Sequence, residues 1–358
     1  MAAGIVDLIE RWNGVGVVVR HDAPTGAWMF ICLHDNTLGP CTGGTRMKVY
    51  PALEEALLDG LRLAEGMTAK WAALGPFGWG GGKAVLALPR PLDGEARRGL
   101  LLRYGELIDS LRGGFYTGED MGTTSDDMRL LAGVTRYVHG FDPGNGAKVD
   151  PSPYTARGVY AGMRAALEEV FGNDDPAGRS VLVEGVGNVG RRLAEMVAAA
   201  GARLLVSDID PRRAEETATE LEAEVVPAER VYGTACDVYA PCAVGATVNA
   251  DTIPQLACRV VAGSANNQLR EPDDAQRLAE RDILYVPDYI INAGGALSFG
   301  LMGQGEPAGE ELMQRIDVLG QTVREILAEA REHGEIPTVA AERRVARALE
   351  QGRAAARA

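Results

Sequence analysis

Lysine is scarce in this 358-residue chain. Of its 36 lysines and arginines only four are lysine, Lys48, Lys70, Lys83 and Lys148, leaving 32 arginines. Lys70 and Lys83 fall within one glycine-rich stretch, GMTAKWAALGPFGWGGGK. An ammonium gives up its proton readily when buried, and a guanidinium does not. Lysine kept in an arginine-biased chain therefore suits proton transfer, whereas chance within the composition suffices for Lys48 and Lys148. A second chemical signal is SVLVEGVGNVG, which sets Gly185, Gly187 and Gly190 as G-x-G-x-x-G after a strand and at the start of a helix. The first glycine makes the turn, the second admits a pyrophosphate to the backbone, and the third lets helix and strand pack closely. The helix N-terminus faces the anion. Asp208 ends RLLVSD, 23 residues after Gly185. An acid there accepts hydrogen bonds from ribose hydroxyls, which points to NAD, although Arg212 and Arg213 nearby could receive a 2′-phosphate.

The elements that must position these residues fall into two patterns. VGVVVR and AWMFICL read as two strands joined by the turn-like HDAPTG. Leu53, Leu57, Leu58, Leu61 and Ala64 recur at helical spacing and carry a helix toward Lys70. GPFGWGGGK is too glycine-rich for a helix and leads into a short strand, AVLAL. A helix follows over about 94–111, and GGFYTGEDMGTT reads as strand then loop. The stretch 139–153, dense in Gly and Pro, is the expected boundary or hinge. Beyond Thr155, short apolar runs alternate with helices, the pattern of a parallel sheet covered on both faces. The fold class is thus α/β in two domains. A substrate-binding and oligomerisation domain is expected over 1–150, and a doubly wound nucleotide domain of the Rossmann type over 151–335. A basic C-terminal helix, about 336–358, is expected to pack on the first domain.

Composition narrows the function. A net charge of −14 without a basic tract disfavours nucleic acid. No apolar run is long enough to span a bilayer, and the N-terminal MAAGIVDLIERWNG lacks a basic-then-apolar signal pattern. Five cysteines without CxxC spacing suit reduced thiols, and four scattered histidines without HxxxH give no support for a metal. A cytoplasmic protein handling a small molecule is expected.

LGPCTGGTRM, GMTAKWAALGPFGWGGGK and FYTGEDMGTT, followed by APCAVGATVN, VVAGSANNQL and ILYVPDYIINAGG, resemble the glutamate/leucine/phenylalanine/valine dehydrogenase family in order and spacing, from about Trp12 to the C-terminus. The resemblance implies NAD-dependent oxidative deamination of an L-amino acid to a 2-oxo acid and ammonia, the reverse amination, a homo-oligomer, and a cleft closed by a hinge at 150–155. It implies Lys83 and Asp120 as the catalytic pair. Lys70 corresponds to the lysine that binds the substrate carboxylate, and the Gly43 carbonyl accepts from the substrate ammonium. Asn266 and Asn292 line the pocket, with Asn292 opening a helix, and Thr155 touches the nicotinamide amide. Asn188, Val189, Ile209, Cys242 and Ala243 join the glycines, Asp208 and Asn266 in holding the cofactor. Taken singly, Lys70 reads as a surface lysine and Asp120 as a turn residue; the joint pattern favours the functional reading.

Specificity is expected from a few positions. Glutamate-specific members carry a lysine just before the paired glycines, where this chain has Thr42. Gly118 and Ala296 are small, as in phenylalanine-type members, while Phe299 narrows the space or offers an aromatic face. A phenylalanine-like substrate is expected first, branched-chain amino acids second. The family spaces its two lysines twelve residues apart; here the spacing is thirteen. The extra residue sets Phe77 and Trp79 beside GGGK, either lining the pocket or packing in the core. A loop shifted there would favour a third reading, a weakly catalytic homologue that binds NAD or an amino acid.

Overall fold

A computed structural model describes residues 4–357. Those residues form two compact units: 4–149 with 299–307 and 345–357, and 150–298 with 308–344.

The first unit opens with a short amphipathic helix, α1 (Ile5–Trp12). Strands β1 (Gly16–Asp22), β2 (Ala27–Asp35) and β3 (Cys41–Val49) follow, then helix α2 (Leu53–Leu74), β4 (Gly80–Leu88), α3 (Gly94–Ser110), β5 (Phe115–Glu119) and α4 (Ser125–Ala132). The sheet runs β1-β2-β4-β3-β5, antiparallel at β1–β2 and β2–β4 and parallel at β4–β3 and β3–β5. One face packs Met29, Ile31, Leu86 and Phe115 against α3 residues Leu100, Leu101 and Tyr104. The other packs Phe30, Cys32 and Val85 against Leu57, Leu61 and Ala64 of α2. This alternation along each strand is what a sheet covered on both faces requires.

The glycine run differs from the sequence expectation. GGGK is not a lead-in to the strand but its first four residues, since β4 begins at Gly80 and pairs there with Cys41. The glycines are needed because other chain segments lie against them. A Cβ on Gly81 would meet the Thr68 backbone nitrogen at 2.2 Å, and one on Gly80 the Asp35 carbonyl at 2.3 Å. In the turn before the strand, 75–78, Gly75 (φ 109°) and Gly78 (φ 74°) adopt left-handed backbone. Trp79 packs in the core rather than lining open space. It is 5% exposed, lies against Trp71, Tyr116 and His139, and donates its Nε1–H to the Gly300 carbonyl at 3.1 Å.

The second unit begins with α5 (Ser152–Phe171), β6 (Ser180–Glu184), α6 (Asn188–Ala199), β7 (Arg203–Ser207), α7 (Pro211–Leu221) and β8 (Glu224–Val225). The short strands β9 (Val238–Pro241) and β10 (Val260–Val261), α8 (Asp274–Ala279), β11 (Leu284–Tyr285) and α9 (Asp288–Ile291) complete the sheet region. All six strands are parallel in the order β11-β10-β9-β6-β7-β8. Counted within this unit that is 6-5-4-1-2-3, the doubly wound dinucleotide arrangement. Helices α10 (Gly294–Gly303), α11 (Glu310–Arg315), α12 (Val318–His333) and α13 (Pro337–Ala355) follow. The C-terminal helix does not group as a whole with the first unit: its residues up to Arg344 belong to the second, and those from Val345 to the first.

Replacing Trp79 with Ala should cost about 3–5 kcal/mol, as large-to-small changes of buried aromatics do. Chemical denaturation of the variant measures it; a loss below about 1 kcal/mol would mean that Trp79 does not anchor the turn before β4.

Candidate active site

In the first unit, close backbone approaches bring the paired residues together. Gly43 lies on β3 beside Gly82 of β4, and a Cβ on Gly43 would stand 1.9 Å from the Gly82 carbonyl oxygen. Gly44 faces the Asp120 Cβ, which a Cβ of its own would meet at 2.9 Å. Lys83, next on β4, is 7% exposed, and its Nζ lies 2.9 Å from Oδ2 of Asp120. Asp120 follows the end of β5. Its backbone N–H donates to Thr123 Oγ1 (3.0 Å), and the Thr123 hydroxyl donates to the Thr45 carbonyl (2.8 Å), which ties the loop to β3. Lys70 is half-buried in the last part of α2, two residues past the Thr68 that lies against Gly81.

Burial and charge act oppositely on this pair. Burial pushes the Lys83 ammonium below the usual lysine range, while Asp120 opposes the shift. Burial favours the neutral form of Asp120, but Lys83 and Arg46 together hold its carboxyl down at about 2. The arrangement is an ionised carboxylate against an amine poised to lose its proton.

Thr42 is buried; its hydroxyl donates to the Tyr116 carbonyl at 3.2 Å and pairs with His139 Nε2 at 2.9 Å. Burial holds His139 neutral, its pKa down at about 4. An added Cβ on Gly118 would meet only ordinary contacts, His139 at 3.8 Å and Phe299 at 3.9 Å. Thr42, Gly118, His139 and Phe299 thus form an uncharged, partly aromatic wall in the first unit.

The second unit holds the remaining candidates. Gly185 turns the chain after β6 with φ 87°, and a Cβ there would strike Ala243 at 2.7 Å. A Cβ on Gly190 would stand 1.9 Å from the Gly185 carbonyl, whereas Gly187 has open space around it. Asn188 and Val189 begin α6, and Cys242 follows β9, donating its N–H to the Glu184 carbonyl at 2.7 Å. The Asp208 side chain, 5% exposed, accepts from the Val186 N–H (2.9 Å) and the Asp210 N–H (3.0 Å), with Arg213 Nη1 3.5 Å away. Ile209 beyond it is almost fully exposed. A glycine turn with open space at its second glycine, a helix N-terminus and an oriented acid fit a dinucleotide.

Asn266 and Asn292 meet, Nδ2 of Asn292 donating to Oδ1 of Asn266 at 2.8 Å. Asn292 does not open a helix, as the sequence suggested; it ends α9, and α10 begins at Gly294. Thr155, in the first turn of α5, lies against Gly295, and Ala296 is half-buried on the same helix α10.

Sequence reasoning missed Arg46 and Asp59. Arg46 Nε donates to Asp120 Oδ2 at 3.0 Å, and its Nη1 reaches both Asp59 carboxylate oxygens at 3.1 Å. Among 32 arginines Arg46 has no distinction of type, and Asp59 reads as one charge on an amphipathic helix. Only the position of Arg46, two residues after the paired glycines, set it apart.

Known proteins resemble the chain over nearly its whole length. Residues 19–137 match the Glu/Leu/Phe/Val dehydrogenase dimerisation domain, and residues 208–306 match the Glutamate/Leucine/Phenylalanine/Valine dehydrogenase family. Leucine dehydrogenase of Bacillus cereus is 42% identical over 346 residues, 96% of this chain and 93% of that protein. Phenylalanine dehydrogenase of Lysinibacillus sphaericus is 41% identical over 290 residues, 80% of this chain and 75% of that protein. The crystal structure of L-tryptophan dehydrogenase from Nostoc punctiforme superposes with a TM-score of 0.84 at 36% identity, covering 97% of this chain and 100% of that one. The chain belongs to the glutamate/leucine/phenylalanine/valine dehydrogenase family, on its phenylalanine/leucine branch, and is an oxidoreductase of the amino acid dehydrogenase type, a class that works with a nicotinamide cofactor.

Proposed function

We propose that the chain catalyses NAD-dependent oxidative deamination of a bulky apolar or aromatic L-amino acid, phenylalanine foremost, and the reverse amination, as a cytoplasmic homo-oligomer. The observation that carries this reading is the buried Lys83 Nζ 2.9 Å from Asp120. NAD, when bound, would supply the hydride acceptor for the substrate Cα. The chain does the rest. The Lys70 ammonium pairs with the substrate carboxylate, and the Gly43 carbonyl accepts from its ammonium. Asp120 exchanges protons with the amino nitrogen. Lys83, neutral, takes the proton from the water that attacks the imine carbon and returns it as ammonia leaves. In the second unit Gly185, Gly187, Asn188, Val189 and Gly190 hold the pyrophosphate, flanked by Cys242 and Ala243. Asp208 and Ile209 take the adenosine end, and Thr155, Asn266 and Asn292 the nicotinamide end. The acid Asp208, already paired with Arg213, supports NAD over NADP. Free cysteines at all five positions support a reducing compartment.

The substrate assignment rests on the uncharged wall. Thr42 and the neutral His139 offer no cation, so a glutamate carboxylate would lie buried without a partner, a costly state. Room beside Gly118, the aromatic face of Phe299 and the seating of Trp79 in the core favour a large apolar side chain. A branched-chain substrate is the second reading, supported by the leucine dehydrogenases at 42% identity. Assembly through the first unit is supported by the dimerisation-domain match and by β1, which lies at the sheet edge with Val15 and Val19 exposed.

Lys83→Ala and Lys83→Arg should each lower kcat by about 10²–10⁴-fold, the worth of a positioned proton-transfer group, while NADH binding stays intact. Arginine keeps its proton, so a Lys83→Arg enzyme with most of its kcat would disprove the proton-transfer role. Comparing kcat/KM for phenylalanine, tryptophan, leucine, valine and glutamate, with NAD and with NADP, tests specificity. Phenylalanine with NAD should lead. Glutamate ahead would refute the pocket argument, leucine or valine well ahead would establish the second reading, and NADP ahead would refute the role of Asp208. On size exclusion the protein should elute above its monomer mass of 38.0 kDa; a monomer at micromolar concentration would contradict assembly through β1.

A further inference from the structure

We propose that Arg46 is a positioning residue for proton transfer: anchored on Asp59, its guanidinium keeps Asp120 ionised and fixed in orientation, and so sets how readily Lys83 releases its proton. The argument is geometric. Arg46 lies on β3 opposite Val85 of β4, two residues beyond Lys83. Its Nη1 reaches both oxygens of Asp59 on α2, and Tyr50, just past β3, donates its hydroxyl to Asp59 Oδ2 at 2.5 Å. Its Nε reaches Asp120 Oδ2 at 3.0 Å, and Lys83 Nζ reaches the same oxygen at 2.9 Å. Two cations therefore share one carboxylate oxygen, Oδ2. The charges alternate from Lys83 through Asp120 and Arg46 to Asp59, contributed by β4, the loop after β5, β3 and α2. The planar fork directs separate N–H groups, Nε and Nη1, at the two carboxylates in a fixed geometry, which the compact ammonium of a lysine does not.

The sign of the effect is fixed by this layout. Without Arg46, Lys83 loses a repelling cation and is left near an uncompensated Asp59. With Asp120 still held ionised by Lys83, both changes strengthen the hold of Lys83 on its proton. Deamination requires neutral Lys83, so the acidic limb of the rate profile moves to higher pH.

The inference rests on the roles proposed above for Lys83 and Asp120, and the experiment separates the two. The full-length enzyme is assayed for deamination across pH, and NADH binding is followed by fluorescence. Arg46→Gln should move the acidic limb of kcat/KM up by about one unit and lower the rate near neutrality about tenfold, since one unit is a tenfold change in the neutral fraction. NADH affinity should stay within about twofold, because the dinucleotide residues lie in the other unit. Arg46→Lys keeps the charge but not the fork. Its limb should stay near wild type while kcat falls about tenfold and the KM for the amino acid changes less than about threefold. A folded Arg46→Gln enzyme with an unmoved limb would overturn the inference. If that variant does not fold, Arg46→Lys decides, and a kcat within about twofold of wild type overturns it. If the unmodified enzyme deaminates no amino acid, the proposed reaction fails instead.

Discussion

Burying one ammonium against one carboxylate is the constraint around which the first unit is built. The effective penalty for removing an ion from water is several kcal/mol, and two opposite charges 4 Å apart attract by about 4 kcal/mol at the effective dielectric of a partly buried site. For Lys83 burial is the larger of the two opposed effects and pushes its ammonium below the usual lysine range, while Asp120 acts against it. That balance is what proton transfer needs, and it requires close approach. Close approach in turn requires that Gly43, Gly44 and Gly82 carry no side chains where β3, β4 and the Asp120 loop converge. A Cβ at Gly43 alone would force the strands apart at the Gly82 carbonyl, and the Lys83 amine would move with its strand. A misplacement of about 1 Å is worth on the order of a hundredfold in rate.

The second unit solves a different problem with the same residue type. A pyrophosphate carries its own charge, so backbone N–H groups and a helix N-terminus suffice and no cation need be buried. Gly185, Gly187 and Gly190 supply the turn, the open approach and the tight packing. The Asp208 carboxylate is held in place by the Val186 and Asp210 N–H groups, so the ribose contact proposed for it would need no reorientation.

What the sequence disclosed follows from this contrast. The dinucleotide turn is local: its glycines, strand and acid all lie within 185–208, so spacing alone reveals it. Lys83 stood out because lysine is rare here and two of the four lysines fall in one glycine-rich stretch. The strand formed by GGGK was hidden, since a glycine run carries no alternation, and only the contacts with Thr68, Asp35 and Phe115, distant in sequence, make it a strand. Arg46 was hidden for the opposite reason, as one arginine among many whose partners Asp59 and Asp120 lie 13 and 74 residues away. Trp79 was undecidable because its neighbours Trp71, His139 and Gly300 are drawn from three separate segments.

The stretch between the two lysines, one residue longer than the family resemblance implies, is confined by the fold. Its two ends are pinned. Upstream, Thr68 lies against Gly81 and fixes the end of α2 that carries Lys70. Downstream, the pairing of Cys41 with Gly80 and of Thr42 with Gly81 fixes the register of β4, and a slip of one residue would turn Lys83 to the opposite face of the sheet. Between them, left-handed glycines at 75 and 78 let the chain turn sharply, and Trp79 closes the turn against the core. The turn bends where glycine makes bending cheap, held between the ion pair on one side and the helix contact on the other. The Lys83 position is thus governed by sheet register rather than by its distance in sequence from Lys70.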